Sequence, residues 1–509
     1  MGAYVPLWPP RLLYAQLTKT SDTLLRSWAL AVELSTSRAS RAATSEEYVT
    51  SRQTYDAIVV GSGPGGGTVA RELARSGAKV LVLERGSDAP VKGTVLQTLR
   101  WLGTPGSSLV LTASGLPIVR GLTLGGSSIF YFGTAYPPPL TDFARWGIDL
   151  APVLAEARDE LPIGPLSDRL LGPMSRMIMD SAQRLGLPWK PLDKFIDQEH
   201  CRPECWRCTY GCPYGAKWNS RMYLTEAAER GVVVHTQAKV LRVLQRDGKA
   251  YGVEFQQDGT TQQVHAETVV LSAGGLGTPE ILGNSGITNA GRDFFVDPLI
   301  TVFGFVEKPK EERVRLGLVR GHSGREIPMS TGMRAEEDGY VMTDMTVPPA
   351  LFRTMALSAG RLWRLSQHHR ALSIMIKIKD DLAGEIVPGK AVRKPLTTDD
   401  KRKLSHGYRQ AKAILHEAGA EGVFHSATVA AHPGGTAKIG EVVDTDLQTE
   451  YKNLYVCDCS VIPEAWGLPP TLSLICLGKR LARHLSQQDQ ATSVRGEVER
   501  QASIANMGA

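Results

Sequence analysis

The chain has 509 residues, of which 42% are hydrophobic and 22% charged, and it contains 51 glycines. This composition is typical of a folded α/β protein and excludes the fibrous and disordered classes. The net charge of +6 is small for this length, and no dense Lys/Arg cluster indicates a nucleic-acid groove, so we expect no nucleic-acid partner. Because no run reaches about 18 apolar residues, we expect no membrane-spanning segment.

The N-terminal 50 residues form an extension of unusual composition. They begin with a Trp/Pro-rich stretch around Trp8, and the apolar spacing from Leu12 to Leu34 predicts a helix. The extension has neither the pattern of a secretory signal nor an Arg-Arg pair, so we expect a cytoplasmic protein. We expect the helix to pack on the body of the protein, and a partner-subunit surface or peripheral membrane contact are the alternatives.

A strand–turn–helix–strand pattern occupies residues 55–84. Its turn carries Gly61, Gly63 and Gly66, and its second strand ends at Glu84. In such a unit the first glycine allows the tight turn, the second lets the backbone approach a pyrophosphate, and the third lets the helix pack on the sheet. Glu84 stands where an acidic residue accepts hydrogen bonds from an adenosine ribose. The pattern predicts a dinucleotide site but does not distinguish NAD from FAD.

Four later stretches resemble signatures of the glucose-methanol-choline (GMC) oxidoreductase family, in that family's order. They run from Val119 to Ser128, from Val232 to Val240, from Leu271 to Ile287 and from Asn453 to Leu472. With the glycine-rich turn, they cover most of the chain. The resemblance implies an α/β fold in which a Rossmann-type FAD-binding domain carries an inserted α+β substrate domain.

The resemblance also implies how the domains alternate along the chain. We expect FAD-binding segments over 51–140, 231–290 and 426–490, and cap or substrate-binding segments over 141–230 and 291–425. The N-terminal extension (1–50) and a flexible tail (491–509) flank them.

Local patterns predict three elements of the second substrate segment. Strands are expected over Ala371–Lys379 and Glu385–Lys394, and a helix over Thr398–Ala418 with Thr398 as N-cap and Gly419 as stop signal. Methionines in the two substrate segments suit an apolar pocket, although core packing is expected for most of them: Met174, Met177, Met179, Met329, Met333, Met342 and Met345.

FAD is the cofactor that the resemblance implies. We expect it to be non-covalent, because Ile129, Phe130 and Tyr131 follow the first signature where some members carry a flavin-linked His. Paired glycines in two signatures remove side chains where backbone must approach a ring or phosphate, and a helix starting near Pro470 would direct its positive end at the flavin. The FAD contacts implied are Gly61, Gly63, Gly66, Glu84, Arg85, Gly125, Gly126, Ser127, Val240, Ala273, Gly274, Asp458, Pro470 and Thr471.

The segment beginning His432-Pro-Gly-Gly-Thr436 resembles the family's His-x-x-Gly-Thr motif. In that family the matching histidine takes the hydroxyl proton while hydride leaves for the flavin, a task that suits a group with a pKa near 6.5. Most members place Asn or His where this chain has Pro469, which offers no side-chain donor or acceptor. His425 is a candidate for the missing catalytic contact, and a structural histidine is the alternative.

Four cysteines fall within twelve residues, and the last of them precedes a proline. The last three and the proline match the tail of the bacterial ferredoxin run, so we predict an iron–sulfur cluster, [4Fe–4S] or [3Fe–4S]. Zinc, a disulfide or free thiols are the alternatives. The segment also resembles a cysteine-rich subset of GMC dehydrogenases, in which a Gly-Ala-Lys stretch follows. The predicted metal ligands are Cys201, Cys205, Cys208 and Cys212.

Together these features predict an FAD-dependent oxidoreductase that removes hydride from an alcohol carbon. We expect the electrons to pass through the cluster to an external acceptor or a partner subunit. An oxidase that produces hydrogen peroxide and a lyase- or decarboxylase-like flavoenzyme on the same fold are the alternatives. The substrate is expected to be a small-molecule alcohol, hydrophobic or bulky in preference to charged.

Overall fold

The structure is a computed structural model that describes residues 49–307 and 326–488. The helix predicted from Leu12 to Leu34 and the tail predicted over 491–509 lie outside these residues. In the described part of the chain, no helix combines the length and apolar character needed to cross a membrane.

The strands within the described residues are, in chain order, β1 (Val49–Val60), β2 (Val80–Leu83), β3 (Leu109–Leu111), β4 (Pro117–Val119), β5 (Ile163–Pro165), β6 (Lys190–Pro191), β7 (Asp193–Phe195), β8 (Val233–His235), β9 (Lys239–Arg246), β10 (Lys249–Gln257), β11 (Thr260–Leu271), β12 (Pro298–Phe305), β13 (Thr331–Ala335), β14 (Tyr340–Asp344), β15 (Ala371–Ile378), β16 (Glu421–His425), β17 (Val429–Ala430) and β18 (Leu454–Val456).

The α-helices within the same residues are α1 (Pro64–Arg75), α2 (Val95–Leu102), α3 (Leu140–Arg145), α4 (Ala151–Glu160), α5 (Pro173–Arg184), α6 (Ser220–Glu229), α7 (Gly274–Asn284), α8 (Pro349–Ser358), α9 (Thr398–Glu417) and α10, which covers 471–488. Short 3-10 turns add Gly126–Ile129, Arg207–Tyr210, Leu362–Arg364, His368–Arg370 and Cys459–Val461.

The first sheet carries the nucleotide-binding pattern. Among the described residues its strand order is β8-β2-β1-β11-β10-β9, with β18 beside β11. The β1–β2, β2–β8 and β11–β18 pairs are parallel, and β9, β10 and β11 form an antiparallel meander. The predicted strand–turn–helix–strand unit is therefore confirmed as β1-α1-β2. Helix α1 begins at Pro64, whose fixed φ suits the first helical turn.

The second sheet is formed mainly by strands of the segments expected to bind substrate, together with β3, β4 and β17. Its order in the described residues is β3-β4-β17-β12-β15-β14-β13-β6, with β16 also paired to β12. Strand β15 matches the predicted strand over Ala371–Lys379, and α9 matches the predicted helix to within one residue at each end. The N-cap is Thr397, not Thr398, because Thr397 and Asp400 form a reciprocal capping box.

One predicted strand is not formed, and one stretch that carries the family resemblance is divided between two strands. The segment Glu385–Lys394 contains only bridges, one of which joins Glu385 and Arg393, because the chain turns at Pro388 and Gly389. The stretch from Val232 to Val240 is divided between β8 and β9, since Gln237 adopts a positive φ of 57°.

The methionines pack in cores, as expected for most of them. Met174, Met333 and Met342 lie in a cluster between α5, α9 and the second sheet, with Met177 and Met179 packed against it. A second cluster contains Met329 and Met345 together with Phe303, Phe305 and Phe352. Flexible thioether side chains fill such irregular interiors well.

Candidate functional site

Three ionisable side chains meet at one end of the second sheet. Asp297 directly precedes β12, Lys377 is the next-to-last residue of β15, and His432 lies two residues beyond β17. Because β12 is antiparallel to both β15 and β17, its beginning lies beside their ends. The topology thereby brings together three residues that are far apart in the sequence.

The three side chains are in mutual hydrogen-bond contact. Nδ1 of His432 lies 3.2 Å from Oδ2 of Asp297 and 3.3 Å from Nζ of Lys377. Nζ of Lys377 lies 3.5 Å from the same carboxylate oxygen. The side chains of Asp297 and Lys377 are 1% and 2% exposed, whereas that of His432 is 28% exposed. Nε2 of His432 bonds to no described residue, so this nitrogen is the one available to a ligand.

Burial shifts the protonation of this group. It lowers the pKa of His432, and the nearby Lys377 lowers it further, against the opposing effect of Asp297. Burial also lowers the pKa of Lys377 despite the attraction of Asp297. The neutral imidazole, which can accept a proton, is therefore favoured near neutrality.

The backbone holds both ends of the His432–Asp297 contact in the left-handed region. The φ angles of His432 and Asp297 are 57° and 48°, which few non-glycine residues adopt. The Asp380 carboxylate accepts hydrogen bonds from the backbone N–H groups of Val296 and Asp297, and it pairs with buried Lys394 at 2.8 Å. A buried ion pair thus fixes the strained turn that carries Asp297, a pattern common at functional sites.

The loop of His432 packs on the glycine pair of the second family signature. The Thr436 hydroxyl donates to the carbonyl of Gly275 at 3.1 Å, and a Cβ on Gly275 would lie 1.9 Å from the carbonyl oxygen of Pro433. In turn, a Cβ on Gly61 would lie 2.2 Å from the carbonyl oxygen of Ser272. The nucleotide turn, the start of α7 and the His432 loop are therefore in successive contact.

Open space lies beside this stack. A Cβ added to Gly63 or Gly274 would meet nothing within 4 Å, although both residues stand at helix N-termini in a crowded region. Gly126 lies beside this opening, with Gly63 Cα 3.2 Å from where its Cβ would be. Two helix N-termini that face an opening suit the pyrophosphate of a dinucleotide.

Glu84 directly follows β2, and protein groups already occupy its carboxylate. Oε2 accepts from the Ser62 N–H at 3.0 Å and from the Ser62 hydroxyl, and Oε1 accepts from Gly86 N–H at 2.6 Å. Burial raises its pKa despite these bonds. On the neighbouring strand, Nδ1 of His235 is buried with no partner among the described residues.

Two arginines approach the same region. Arg85, a predicted contact, donates to the Ser107 hydroxyl at 3.2 Å. Arg120, which the sequence analysis did not single out, donates to the carbonyl of Ser107 at 2.8 Å. Burial, followed by the charge of Arg85, lowers the pKa of Arg120 to about 10. Two close guanidinium groups near a helix N-terminus favour an anionic ligand.

The other predicted FAD contacts serve mainly to join the loops. Both oxygens of the Asp458 carboxylate are occupied, by Gly274 N–H and the Thr278 hydroxyl on one side and by Ser460 on the other. Ser127 accepts from the Gly121 N–H at 3.0 Å. Among the remaining positions, Gly66 lies in α1, Val240 in β9, Ala273 caps α7, Gly125 has a φ of 89°, Pro470 directly precedes α10, and Thr471 is the first residue of α10.

His425 lies apart from the contacts of His432. It is exposed at the end of β16, its Nδ1 is 2.8 Å from the carbonyl oxygen of Ser426, and its ring packs on Tyr408. None of its contacts in the described part of the chain reaches His432. Pro469 is buried in a loop that lies against β15, where a Cβ on Gly467 would be 3.1 Å from Lys379 N.

The four clustered cysteines line one cavity. The cavity is small, and it is also bordered by Arg202, Lys217 and Ile327. All four are free cysteines, so the disulfide alternative is not formed. Over residues 49–307 and 326–488, no set of three or more His, Cys, Asp or Glu side chains is arranged to hold a single metal ion.

Lys217 connects this cavity to the first glycine-rich signature. Its Nζ donates to the carbonyl oxygens of Cys208 at 2.9 Å, Ile129 at 2.7 Å and Tyr131 at 2.6 Å. Ile129 closes the turn that follows Gly125. The cavity therefore lies directly behind the predicted flavin loop.

The thiols and the nearby lysines influence one another. Burial raises the pKa of Cys201 to about 12 and that of Cys208 to about 11. Burial also lowers the pKa values of Lys194 and Lys217 to about 8, against the attraction of Cys208. A cation among the thiols would reverse the shifts of the cysteines and favour their thiolate forms.

Comparison with known proteins places the chain in a family. Two sequence models described as GMC oxidoreductase match residues 55–300 and 379–478. A long-chain-alcohol oxidase of Arabidopsis thaliana is 25% identical over 86% of this chain and 68% of its own length. An uncharacterised GMC-type oxidoreductase of Mycobacterium tuberculosis is 27% identical over 84% of this chain and 75% of its own.

Solved structures share the fold at lower identity. Pyridoxine 4-oxidase from Mesorbium loti has a TM-score of 0.65 and 18% identity, and the match covers 84% of this chain and 99% of that one. A formate oxidase from Aspergillus oryzae has a TM-score of 0.64 and 16% identity over 88% and 100%. Family models that span most of the described residues, together with this shared architecture, show that the chain belongs to the GMC oxidoreductase family.

Proposed function

We propose that this chain is an FAD-dependent dehydrogenase that removes a hydride from an alcohol carbon, with His432 as the base. The observation that carries the proposal is the arrangement of that imidazole. Its Nδ1 is held by Asp297 and Lys377, Nε2 bonds to no described residue, and the loop that carries it packs on Gly275 at the start of α7. An imidazole with a lowered pKa suits proton abstraction near neutral pH.

The residues around the opening fit non-covalent FAD. The N-termini of α1 and α7 would hold the pyrophosphate, and Gly63 and Gly274 leave room for it. Glu84, Arg85 and the unpaired Nδ1 of His235 lie where the adenosine half is expected. FAD, when bound, supplies the hydride acceptor for the reaction. The remaining chemistry belongs to side chains of this protein.

His432 orients and deprotonates the substrate in this proposal. Asp297 fixes the imidazole plane through Nδ1, so Nε2 accepts the hydroxyl proton as the hydride leaves the carbon. Pro469 has no side-chain donor or acceptor that could assist. His425 takes no part in this step, because its contacts lie elsewhere. His432 therefore activates the hydroxyl, with the help of Asp297 and Lys377.

We further propose that the cysteine cavity holds an iron–sulfur cluster that carries electrons one at a time. The support for a cluster is that four free thiols line one cavity behind the flavin loop, and that the last three, with the following proline, match the ferredoxin run. The N–H of Lys217, 3.4 Å from Sγ of Cys212, and the buried lysines would offset the negative charge of the cluster.

Different observations support the proposed substrate class and the proposed electron acceptor. The relatives named long-chain-alcohol oxidases favour a hydrophobic primary alcohol. They also favour a second candidate function, an oxidase that delivers electrons to oxygen. The cysteine cavity beside the flavin loop favours an external one-electron acceptor or a partner subunit instead.

An anaerobic experiment tests the proposal. Purified protein should release FAD on heating, and straight-chain primary alcohols of increasing length should bleach the bound flavin. Reoxidation should be faster with an artificial one-electron acceptor than with oxygen. Release of NAD, or no cofactor after reconstitution, would contradict the flavin assignment. Rapid peroxide formation in air, with no iron in the protein, would instead support the oxidase.

A further inference from the structure

Lys377 is a buried amine, and base catalysis by His432 alone does not require it. It stands near the end of β15, a largely apolar strand that is buried along its whole length. Its Nζ touches Nδ1 of His432 and Oδ2 of Asp297, at 3.3 Å and 3.5 Å. Because burying a lysine is unfavourable without a partner, these two contacts point to a role at the site.

Two nitrogen atoms in hydrogen-bond contact hold one proton between them. If Lys377 is an ammonium group, it donates to Nδ1, and the neutral imidazole of His432 then carries its own proton on Nε2. If Lys377 is a neutral amine, Nδ1 carries the proton and donates it to Asp297, which leaves the lone pair on Nε2. The charge of Lys377 therefore selects the tautomer of His432.

We propose that Lys377 sets the tautomer of His432 and is the final acceptor of the proton that the substrate hydroxyl loses. This inference rests on the proposed role of His432 as the base. The substrate O–H bond breaks as an N–H bond forms at Nε2, and the proton on Nδ1 moves to Nζ of Lys377. The electron pair of the broken C–H bond leaves with the hydride for FAD. Lys377 ends as an ammonium ion paired with Asp297, and the imidazole ends neutral.

The surrounding charges suit this transfer. Oδ1 of Asp297 is buried without a partner among the described residues, so the carboxylate retains capacity for the new ammonium. Cys459 is the other titratable group that acts on Lys377, and burial raises the pKa of its thiol well above the usual value, which keeps it neutral. Asp380 acts on Asp297 but is already paired with Lys394. Burial lowers the pKa of Lys377 against the attraction of Asp297, so the amine form is more accessible here than in an exposed lysine.

Proton transfer to Lys377 also compensates for Pro469, which has no side-chain donor or acceptor. A neighbouring Asn or His could stabilise charge on the substrate oxygen, but proline cannot. Passing the proton through His432 to Lys377 avoids leaving an imidazolium ion beside the flavin. Lys377 is thus a positioning residue, because it acts on the substrate only through His432.

Two substitutions of Lys377 distinguish this role from simple charge pairing. K377R introduces a permanently charged donor to Nδ1, which holds the Nε2–H tautomer and blocks proton acceptance. Anaerobic reduction of FAD by dodecan-1-ol should therefore fall by about 10²-fold or more at every pH. K377M removes the donor, so Asp297 keeps the proton on Nδ1 and the rate should fall less. K379M, at the exposed position that directly follows the same strand, should behave as the wild type.

The relative rates of FAD reduction in K377R and K377M decide between the two roles of Lys377. If K377R reduces FAD faster than K377M, Lys377 merely neutralises Asp297 and the inference is overturned. A second readout needs no turnover: nitrogen-15 spectra of the histidine rings in the FAD-bound protein, with His432 identified by H432Q. The wild type should change from the Nε2–H to the Nδ1–H tautomer as pH rises, and K377M should show Nδ1–H alone once neutral.

These spectra separate the inference from the proposed function. A wild-type tautomer that does not respond to pH overturns the role of Lys377 even if alcohols reduce the flavin. Conversely, a pH-dependent tautomer that K377M abolishes supports control by Lys377. If no alcohol then reduces the flavin of the wild type, the alcohol-oxidising function fails, and with it the proton-accepting step.

Discussion

Asp297 and His432 are 135 positions apart in the chain, yet Oδ2 of one lies 3.2 Å from Nδ1 of the other. Both residues have positive φ angles, which few non-glycine residues adopt, so each side chain projects from an unusual backbone turn. The buried pair Asp380–Lys394 fixes the first of these turns. The geometry of the imidazole is therefore determined before any ligand binds, which is what a base needs in order to act in one orientation.

Replacing the base should separate catalysis from cofactor binding. In H432A the FAD contacts on α1 and α7 are intact, so the protein should keep its flavin. Reduction of that flavin by alcohol should slow by about 10²-fold or more, the usual contribution of a positioned general base. Anaerobic stopped-flow absorbance measures the rate. H425A is the control and should leave the rate near that of the wild type. An unchanged rate in H432A would mean that another residue is the base.

Alanine substitutions at two glycines of the same turn should affect different properties, FAD binding in one case and stability in the other. Gly63 has a φ of −66°, so G63A is compatible with the backbone and its methyl group points into the open space. Apoprotein stability should be unchanged or slightly higher, while FAD binding weakens at least about tenfold. Gly61 has a φ of 101° and no room for a Cβ, so G61A should lower the melting temperature. Thermal melts and FAD content after gel filtration measure both effects. Equal loss of stability in the two variants would contradict the assignment of the opening.

The sequence predicted the fold better than the site. Glycine spacing and family signatures were sufficient for β1-α1-β2, for α9 and for the loop of His432, because each depends on neighbours in the chain. Asp297 and Lys377 join His432 only through the antiparallel pairing of β12 with β15 and β17, which local patterns do not encode. One signal was present: Lys377 interrupts a run of apolar residues in a predicted strand, where a charged side chain requires a partner.

Glu160 should make stability depend on acidity. Its carboxylate binds Arg71 of α1 at 3.0 Å and Lys479 of α10 at 2.9 Å. Burial alone would raise its pKa, but hydrogen bonds from Lys479 and Arg71 bring that pKa from 4.5 to about 2. A depressed pKa adds stability above the unfolded value of 4.5, and this stability is lost as the pH falls from there toward 2.

The matching variant is E160Q. It should lower the free energy of unfolding at neutral pH by about 1–2 kcal/mol, since a partly exposed pair contributes less than a buried one. Unfolding curves recorded from neutral to acidic pH should show the difference from wild type shrinking below the unfolded pKa. D159N, at an exposed neighbour on α4, serves as the control and should change little. A difference that persists undiminished in acid would assign the effect to packing.

Removing one thiol should test the proposed cluster. Cys208 is buried, lines the cavity, and its carbonyl oxygen accepts from Lys217, which also binds the carbonyl oxygens of Ile129 and Tyr131. Anaerobically prepared wild type should contain about three to four irons per chain and give a paramagnetic signal in one redox state. C208S should lose that signal and turn over slowly with a one-electron acceptor.

The other half-reaction gives the discriminating comparison. Flavin reduction by alcohol depends on His432 and should survive in C208S, because the cysteine lies behind the flavin loop and not in contact with the base. C476S, which changes a buried free cysteine of α10 outside the cavity, should retain both iron and turnover. If the wild type carries no iron, the thiols serve a structural role. Electrons then leave the flavin directly, and oxygen becomes the better candidate for their acceptor.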